Sequence, residues 1–467
     1  MSTVTPTAPS SPRRPADLDD LRRRVAGTLH TPDDPTWDSV RSPWVVNIDQ
    51  RPLAVLEVRD AADVQAAVRW AVDHDVQVTA QPGGHGAGDA LDGVLLLRTR
   101  ALGSIEVDLQ RQTVRLGAGV KAGELLAALD GTGLTFLAGS NPDVSVVGLT
   151  IGGGMSWFGR AYGLAAHSIV AAELVDGLGR ARTVSREDNP DLFWAIRGGG
   201  GDFGIITQLE LRLHPAPAVY GGRLFWPLEQ MGEVLRVFRA VTESAPPELT
   251  LWYHSYRFPP LPHVPEAMRG QAFASVAMAY LGEAEEAEHW LAPLREVPGL
   301  LHDLVGAVPL AELARIGGEP TDPTPNLDTS TLLERLDDDT VDRLVAAVGA
   351  ESGSPLAVFQ IRHLGAAFTT GSASEGAAGH IDAPYQLFAL GVPAVPALVE
   401  PIRAGLDRVE LAVAPVSSGT TAPNFLGAGG DVDRCWPADV RARLRAIKAD
   451  ADPLGTIRSN RPVLHTH

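Results

Sequence analysis

From Leu53 onward the chain alternates short apolar runs with glycine-rich turns. LAVLEV (53 to 58) predicts a strand. After Asp60 the apolar positions Val64, Ala67, Val68, Ala71 and Val72 recur at three- and four-residue steps, which places them on one face of a helix. VQVTA (76 to 80), VLLLR (94 to 98), SIEVD (104 to 108) and TVRLGAG (113 to 119) predict further strands, and KAGELLAALD after them has helical spacing. NPDLFWAIR (189 to 197) predicts a helix with both ends signalled locally: Asn189 as N-cap, Pro190 at the first helical position and a four-glycine run beyond the last turn. FGIITQLELRLHP (203 to 215) begins apolar, then alternates, and predicts a strand ending at Pro215.

The pattern changes after Pro215. Glycine loops thin out, and helical spacing in MGEVLRVFRAVTESA (231 to 245) and EEAEHWLAPLREV (285 to 297) mixes with strands such as LTLWYHSYRF (249 to 258). The tail holds one more helix, PADVRARLRAIKADAD, and an extended stretch, TIRSNRPV. The fold class expected is α+β. The organisation expected is an N-terminal arm over 1–40, a first domain over 41–215, a second over 216–415, and a segment over 416–467 that returns to the first. The first fifteen residues are Ser, Thr and Pro without apolar periodicity, so the arm is expected to be partly disordered.

Composition narrows the classes of function. The 467 residues exceed ordinary single-domain length. No run approaches the roughly eighteen apolar residues of a membrane span. With 39 Lys and Arg against 57 Asp and Glu the formal charge is -18, which repels a phosphate backbone, so neither a membrane nor a nucleic acid is an expected partner. Cys435 is the only cysteine, which excludes an internal disulfide and a thiolate zinc cage. It suits a reducing compartment, and the first residues lack a secretory apolar region; a cytoplasmic location is expected.

Glycine-rich stretches at 83–88 (GGHGAG), 148–154 (GLTIGGG) and 198–204 (GGGGDFG), and a weaker one at 117–123, suggest more than turns. Glycine lets main-chain N–H groups approach an anion, and repeated loops of this kind can cradle a pyrophosphate. Any one loop could simply be a tight turn. No Rossmann fingerprint, Walker loop, HExxH, paired CxxC or G-x-S-x-G elbow is present, which leaves a phosphate-rich ligand on a different scaffold and no metal site. His85 sits inside the first loop between residues with almost no side chain; spacing alone does not separate a ligand-bonding role from a loop histidine bonded to a carbonyl.

PGGHGAG (82 to 88), PDVSVVGLTIGGGMSWFGRAYGLAAHSI (142 to 169) and NPDLFWAIRGGGGDFGIITQLELRLHP (189 to 215) together resemble the FAD-linked oxidases of the vanillyl-alcohol-oxidase superfamily, and within it the bacterial berberine-bridge-enzyme-like branch. FQIRHLGAAF, GHIDAPYQLF and the terminal PNFLG and TIRSN agree, so the resemblance runs in order over roughly 40 to 465. It implies a two-lobed PCMH-type FAD-binding domain over 41–215 and a substrate domain whose antiparallel sheet, flanked by helices, covers the isoalloxazine ring. It further implies that Gly83, Gly84, Gly86, Ala87 and Gly88 hold the pyrophosphate and that His85 carries a covalent 8α bond to the flavin. Gly148, Gly152, Gly153 and Gly154 would form the second wall, Gly204, Ile205 and Ile206 the adenine side, and Asn460 would lie near the ring system.

Three departures from the resemblance change the expected chemistry. The position of a second, cysteinyl tether is Asn141, so one covalent bond is expected. The two tyrosines common among alcohol-oxidising relatives are replaced by Met155 and Ala422. With both phenols missing, no base is assigned; the weak candidates are Tyr253, His254, Arg362, His363, His380 and Asn424. Neighbours on a strand face opposite ways, so Tyr253 and His254 cannot both face a flavin. Arg362 is expected to pair with a carboxylate, and Tyr162 to pack beneath the flavin. The activity expected is hydride transfer from a small organic, secondary-metabolite-like substrate to FAD with reoxidation by dioxygen, in a monomer or homodimer. The alternatives are an oxygenating or ring-closing tailoring enzyme and a flavin binder without turnover.

Overall fold

The computed structural model describes residues 16–88, 90–260, 264, 266–372 and 374–464. The disordered arm expected over residues 1–15 lies outside them. The first lobe is a four-stranded sheet in the order Thr28–His30, Ala54–Glu57, Leu95–Arg98, Val78–Ala80, the last three parallel. The helix Ala61–His74 starts where Asp60 accepts from the N–H groups of Ala62 and Asp63, and its Val64, Ala67, Val68 and Ala71 bury against this sheet, on the face the periodicity predicted. The strand Thr28–His30 pairs antiparallel with Ala54–Glu57, so residues assigned by the sequence to the arm belong to this lobe.

The second lobe is a five-stranded antiparallel sheet: Ile105–Asp108, Thr113–Gly117, Ile205–Arg212, Ile169–Val175 and Ala181–Ser185. The helix Pro190–Ile196 forms where it was expected, but Asn189 caps it differently. Asn189 is left-handed at φ 53°, and its side chain makes no cap bond. Its amide donates instead to the Thr183 carbonyl at 2.7 Å, tying the helix start to the preceding strand.

The later half forms a large antiparallel sheet whose central strands run Val219–Pro227, Ala272–Leu281, Leu249–Arg257, Val358–His363, Tyr385–Gly391, Leu327–Leu333. Helices Met231–Thr242, Ala284–Arg295, Asp338–Val348 and Val399–Val413 bury their apolar stripes on one face, around Phe238, Tyr253 and Phe359. The other face turns toward the first half of the chain. There Trp252 stacks on Trp157 with ring centroids 3.5 Å apart, and both belong to one core with the second lobe.

The tail crosses back. Helix Ala438–Ala451 buries Leu444 and Ile447 beside Phe193 and Phe203, and Ile457 forms a parallel bridge to Val78 at the edge of the first sheet. Lys448, buried to 3% exposure, locks this return: its Nζ donates to the Asp202 and Ile457 carbonyls at 2.7 Å each and to Asp452 Oδ2 at 2.8 Å.

Candidate functional site

The loop 83–88 is folded by its carbonyls. Trp44 N–H donates to the Gly83 carbonyl at 2.9 Å and Ala87 N–H to the Gly84 carbonyl at 3.2 Å. Gly84 has φ +84°, and a Cβ there would lie 2.7 Å from Pro43 Cβ, so only glycine fits. Among the described residues, no protein acceptor takes the N–H groups of Gly83, Gly84, His85 or Gly86. Four consecutive donors without protein acceptors are available to an anion.

The His85 ring stacks on Trp44 at 4.3 Å. Its Nε2 is buried without a hydrogen bond of normal geometry; the closest carboxylate, Asp143 Oδ2, is 3.5 Å away, and Lys121 pairs with the other oxygen of Asp143. Burial lowers the proton affinity of His85, partly offset by Asp143 and Glu319. The ring is therefore held neutral, with a lone pair able to form a bond.

The second glycine loop and the tail converge on the same place. Ser145 caps the helix Val146–Ile151 through Gly148 N–H, and Asn141 Oδ1 accepts from Asp143 N–H at 2.8 Å while its amide donates to the Pro320 carbonyl. Asn424 Oδ1 accepts from Gly154 N–H at 2.8 Å and its Nδ2 donates to the Leu149 carbonyl at 3.3 Å. A Cβ on Gly152 would run into the Asn424 amide. Asn460 Nδ2 donates to the Gly86 carbonyl, Arg461 Nη1 reaches the same oxygen at 3.4 Å, and Arg461 Nη2 donates to the Leu426 carbonyl. Asn424 is thus a positioning residue for the 149–154 loop. Asn424→Ala is expected to cost about 1 kcal/mol at this contact and to lower ligand occupancy, read as cofactor content of the purified variant.

Gly204, Ile205 and Ile206 stand at the start of the strand Ile205–Arg212, Ile205 and Ile206 paired with Val175 and Leu174, apart from the contacts around His85. A cavity of about 400 Å³ opens beside them at the seam of the two lobes, lined by Arg59, Gln65, Gly103, Val175 and Thr207 among others; it holds none of residues 83–88.

Register decides which candidate bases face the site. Trp252 marks the inward face of the sheet, and alternation puts His254 and Tyr256 beside it. Cross-strand pairing adds Arg362 (opposite Trp252), Gln360 (opposite His254) and Gln386 (opposite Arg362). Tyr253 faces the other way, into the helix-covered core, with its hydroxyl 2.8 Å from Ser255 Oγ, and burial pushes its proton affinity up. His363 also faces away: its Nε2 is 2.7 Å from Arg160 Nη1, and burial pushes its pKa down to about 2. His380 is exposed beside Asp382 at 3.3 Å. These three leave the list of bases.

His254 remains on the inward face, buried, with Nε2 2.5 Å from Gln360 Nε2 and Nδ1 without a hydrogen-bond partner. Burial and the guanidiniums of Arg223 and Arg362 hold it well below the usual histidine range. The carboxylate expected for Arg362 is absent: among the described residues it makes no ion pair. Its guanidinium instead lies between the rings of Trp252 (3.9 Å) and Phe425 (4.6 Å), and its Nε donates to Gln360 Oε1 at 2.6 Å. The aromatic neighbours offset part of the cost of burying this charge. Glu319, next to the Pro320 that holds Asn141, raises the proton affinity of His85, Tyr256 and Arg362 alike.

Met155 and Ala422 sit together in one apolar cluster with Leu164, Leu332, Leu364 and Phe368. No phenol from either position enters the site. Tyr162 packs on His214 and donates to the Pro215 carbonyl at 2.7 Å. The sequence reading missed Tyr256, Arg223, Ser275 and Gln386. Strand alternation carried Tyr256 to the same face as His254; Arg223, Ser275 and Gln386 needed the register of three further strands. Among the described residues, no cluster of three or more His, Cys, Asp or Glu could hold a metal, and no helix is long and apolar enough to cross a membrane.

Comparison with known proteins agrees with this geometry. Residues 52–185 match the family model for an FAD binding domain. A curated relative, (R)-6-hydroxynicotine oxidase of Paenarthrobacter nicotinovorans, is 28% identical over 304 residues, covering 63% of this chain and 64% of its own length. The chain thus spans less than two thirds of that relative. Among solved structures, 6-hydroxy-D-nicotine oxidase of Arthrobacter nicotinovorans superposes at TM-score 0.79 and 24% identity, covering 93% of this chain and 97% of the other. The berberine-bridge-enzyme-like protein 1 of Physcomitrella patens superposes at 0.84 and 20% identity, covering 96% and 100%. These likenesses show the fold.

Proposed function

We propose that this chain, an FAD-linked oxidoreductase with the berberine-bridge-enzyme-like fold and an FAD-binding domain at residues 52–185, oxidises a small organic molecule held between the sheet of its later half and a flavin bonded to His85. FAD supplies two-electron oxidation and the return of those electrons to dioxygen. The supporting observation is the loop 83–86, where four backbone donors without protein acceptors flank a half-buried imidazole whose proton affinity burial lowers. A pyrophosphate fits the donors, and a bond to carbon fits the imidazole.

The roles of the other residues follow the resemblance. Gly148 and Gly152 to Gly154 would form the second wall, shaped by Asn424; Gly204, Ile205 and Ile206 the adenine side; and Asn460 would bear on the ring system from Gly86. One tether is expected, because Asn141 is engaged with Pro320 and Asp143 and carries no thiol. Since Met155 and Ala422 put no phenol at either of those two positions, proton removal falls to substrate, solvent or another side chain. We place the protein in the cytoplasm as a monomer or homodimer.

The test is anaerobic mixing of the purified yellow protein with alcohols, sugars, amines and polyketide-like phenols. At least one class should bleach the flavin, with peroxide released in proportion to oxygen once air is admitted. The apolar Met155 and Ala422 cluster also favours a second reading, an oxygenating or ring-closing enzyme, which would consume oxygen without matching peroxide. A protein that no class bleaches would contradict both.

A further inference from the structure

The inward face of the sheet carries cationic and polar groups that are only partly satisfied among the described residues. Arg223 donates through Nε to the Ile316 carbonyl at 2.6 Å, but its Nη2 is buried without a partner. Arg362, 5% exposed, offers both faces of its guanidinium to aromatic rings, and its two Nη groups make no hydrogen bond or ion pair among the described residues. Between them, Ser275 Oγ and His254 Nδ1 are likewise buried and unpartnered, as are both amide atoms of Gln386 beside Arg362.

Register puts these groups on one face in two adjacent rows. Arg223, Ala277, Trp252, Arg362 and Gln386 form one cross-strand row, and Ser275, His254 and Gln360 the next. Strands are about 4.8 Å apart, so Arg223 and Arg362 start about 14 Å from each other and reach inward from opposite sides. Both act on the same two rings, His254 and Tyr256, and the Arg223 guanidinium lies 5.4 Å from the Tyr256 ring centre. Burying a guanidinium without a counter-anion is costly, and its in-plane N–H edge matches a carboxylate. The nearby carboxylate, Glu319, forms no ion pair with either arginine among the described residues.

Resting on the flavoenzyme reading, we propose that the substrate carries a carboxylate, seated between Arg223 and Arg362 against Ser275 and His254. The missing counter-anion arrives with the substrate. The same contact fixes the substrate's orientation in a site that lacks the phenols of its relatives.

The test titrates the holoenzyme with benzoate and with benzamide, its uncharged analogue of equal size, following flavin absorbance and tryptophan emission. Benzoate should saturate at least about tenfold more tightly, the effect of one charge-assisted contact of about 1.4 kcal/mol. Arg362→Met and Arg223→Met should each remove that preference, and Arg362→Lys should restore part of it. Equal binding of the two ligands by the wild type, or a benzoate preference that survives both methionine variants, overturns the proposal. If one methionine variant does not fold, the wild-type preference and its fate in the other variant decide. Acid-stable flavin reports separately on the parent reading. Colour retained without a benzoate preference removes only the carboxylate site. A preference seen in tryptophan emission without bound flavin removes only the cofactor assignment.

Discussion

Replacing His85 with alanine is expected to abolish acid-stable flavin: the yellow colour that stays with the precipitated wild-type chain should pass entirely into the supernatant. The variant should still fold and bind the cofactor, because the four N–H groups of the loop belong to the backbone and the glycines that shape it are unchanged. Turnover should fall as well. Losing an electron-withdrawing substituent lowers the flavin potential, and for a two-electron couple each 30 mV removes about 1.4 kcal/mol of driving force, or about tenfold in equilibrium. Absorbance after acid precipitation reads the first effect, and anaerobic bleaching rates read the second. Wild type and variant releasing equal colour would remove the covalent assignment while leaving the loop intact.

The second large effect concerns stability rather than chemistry. Lys448→Met is expected to destabilise the protein by about 3–5 kcal/mol, because Asp452 and Asp202 would be left as buried carboxylates without their cation. The damage should also reach the flavin site. Lys448 holds the Ile457 carbonyl, and three residues on, Asn460 meets Gly86. A lower melting temperature should therefore come with lower flavin content. Pairing Lys448→Met with Asp452→Leu removes one uncompensated charge and should recover part of the loss, a non-additivity that thermal melts of the single and double variants measure directly.

How far the sequence carries depends on the range of the interaction. The helix Ala61–His74 and the strands around it were legible because their apolar spacing and caps are local, and the glycine loops were legible because a backbone turn writes its need for glycine into the residues themselves. Asn189 shows the limit. It stands at the helix start as predicted, yet its side chain serves Thr183 on the neighbouring strand, a partner set by tertiary packing. Alternation established that Tyr253 and His254 face opposite ways, but only the stacking of Trp252 on Trp157 tells which way is inward. Arg362 was expected to find a carboxylate in an acidic chain; it found two aromatic rings, one of them Phe425, sixty-odd positions on. Arg223 and Gln386 were illegible because the row they share with Trp252 exists only once five strands are in register.

The mass of the intact chain after acid denaturation, followed by peptide mapping, tests the central claim most directly. A chain heavier by one FAD, with the added mass on the peptide containing His85, is the predicted result. A chain of unmodified mass, with the flavin free in solution or absent, would contradict it.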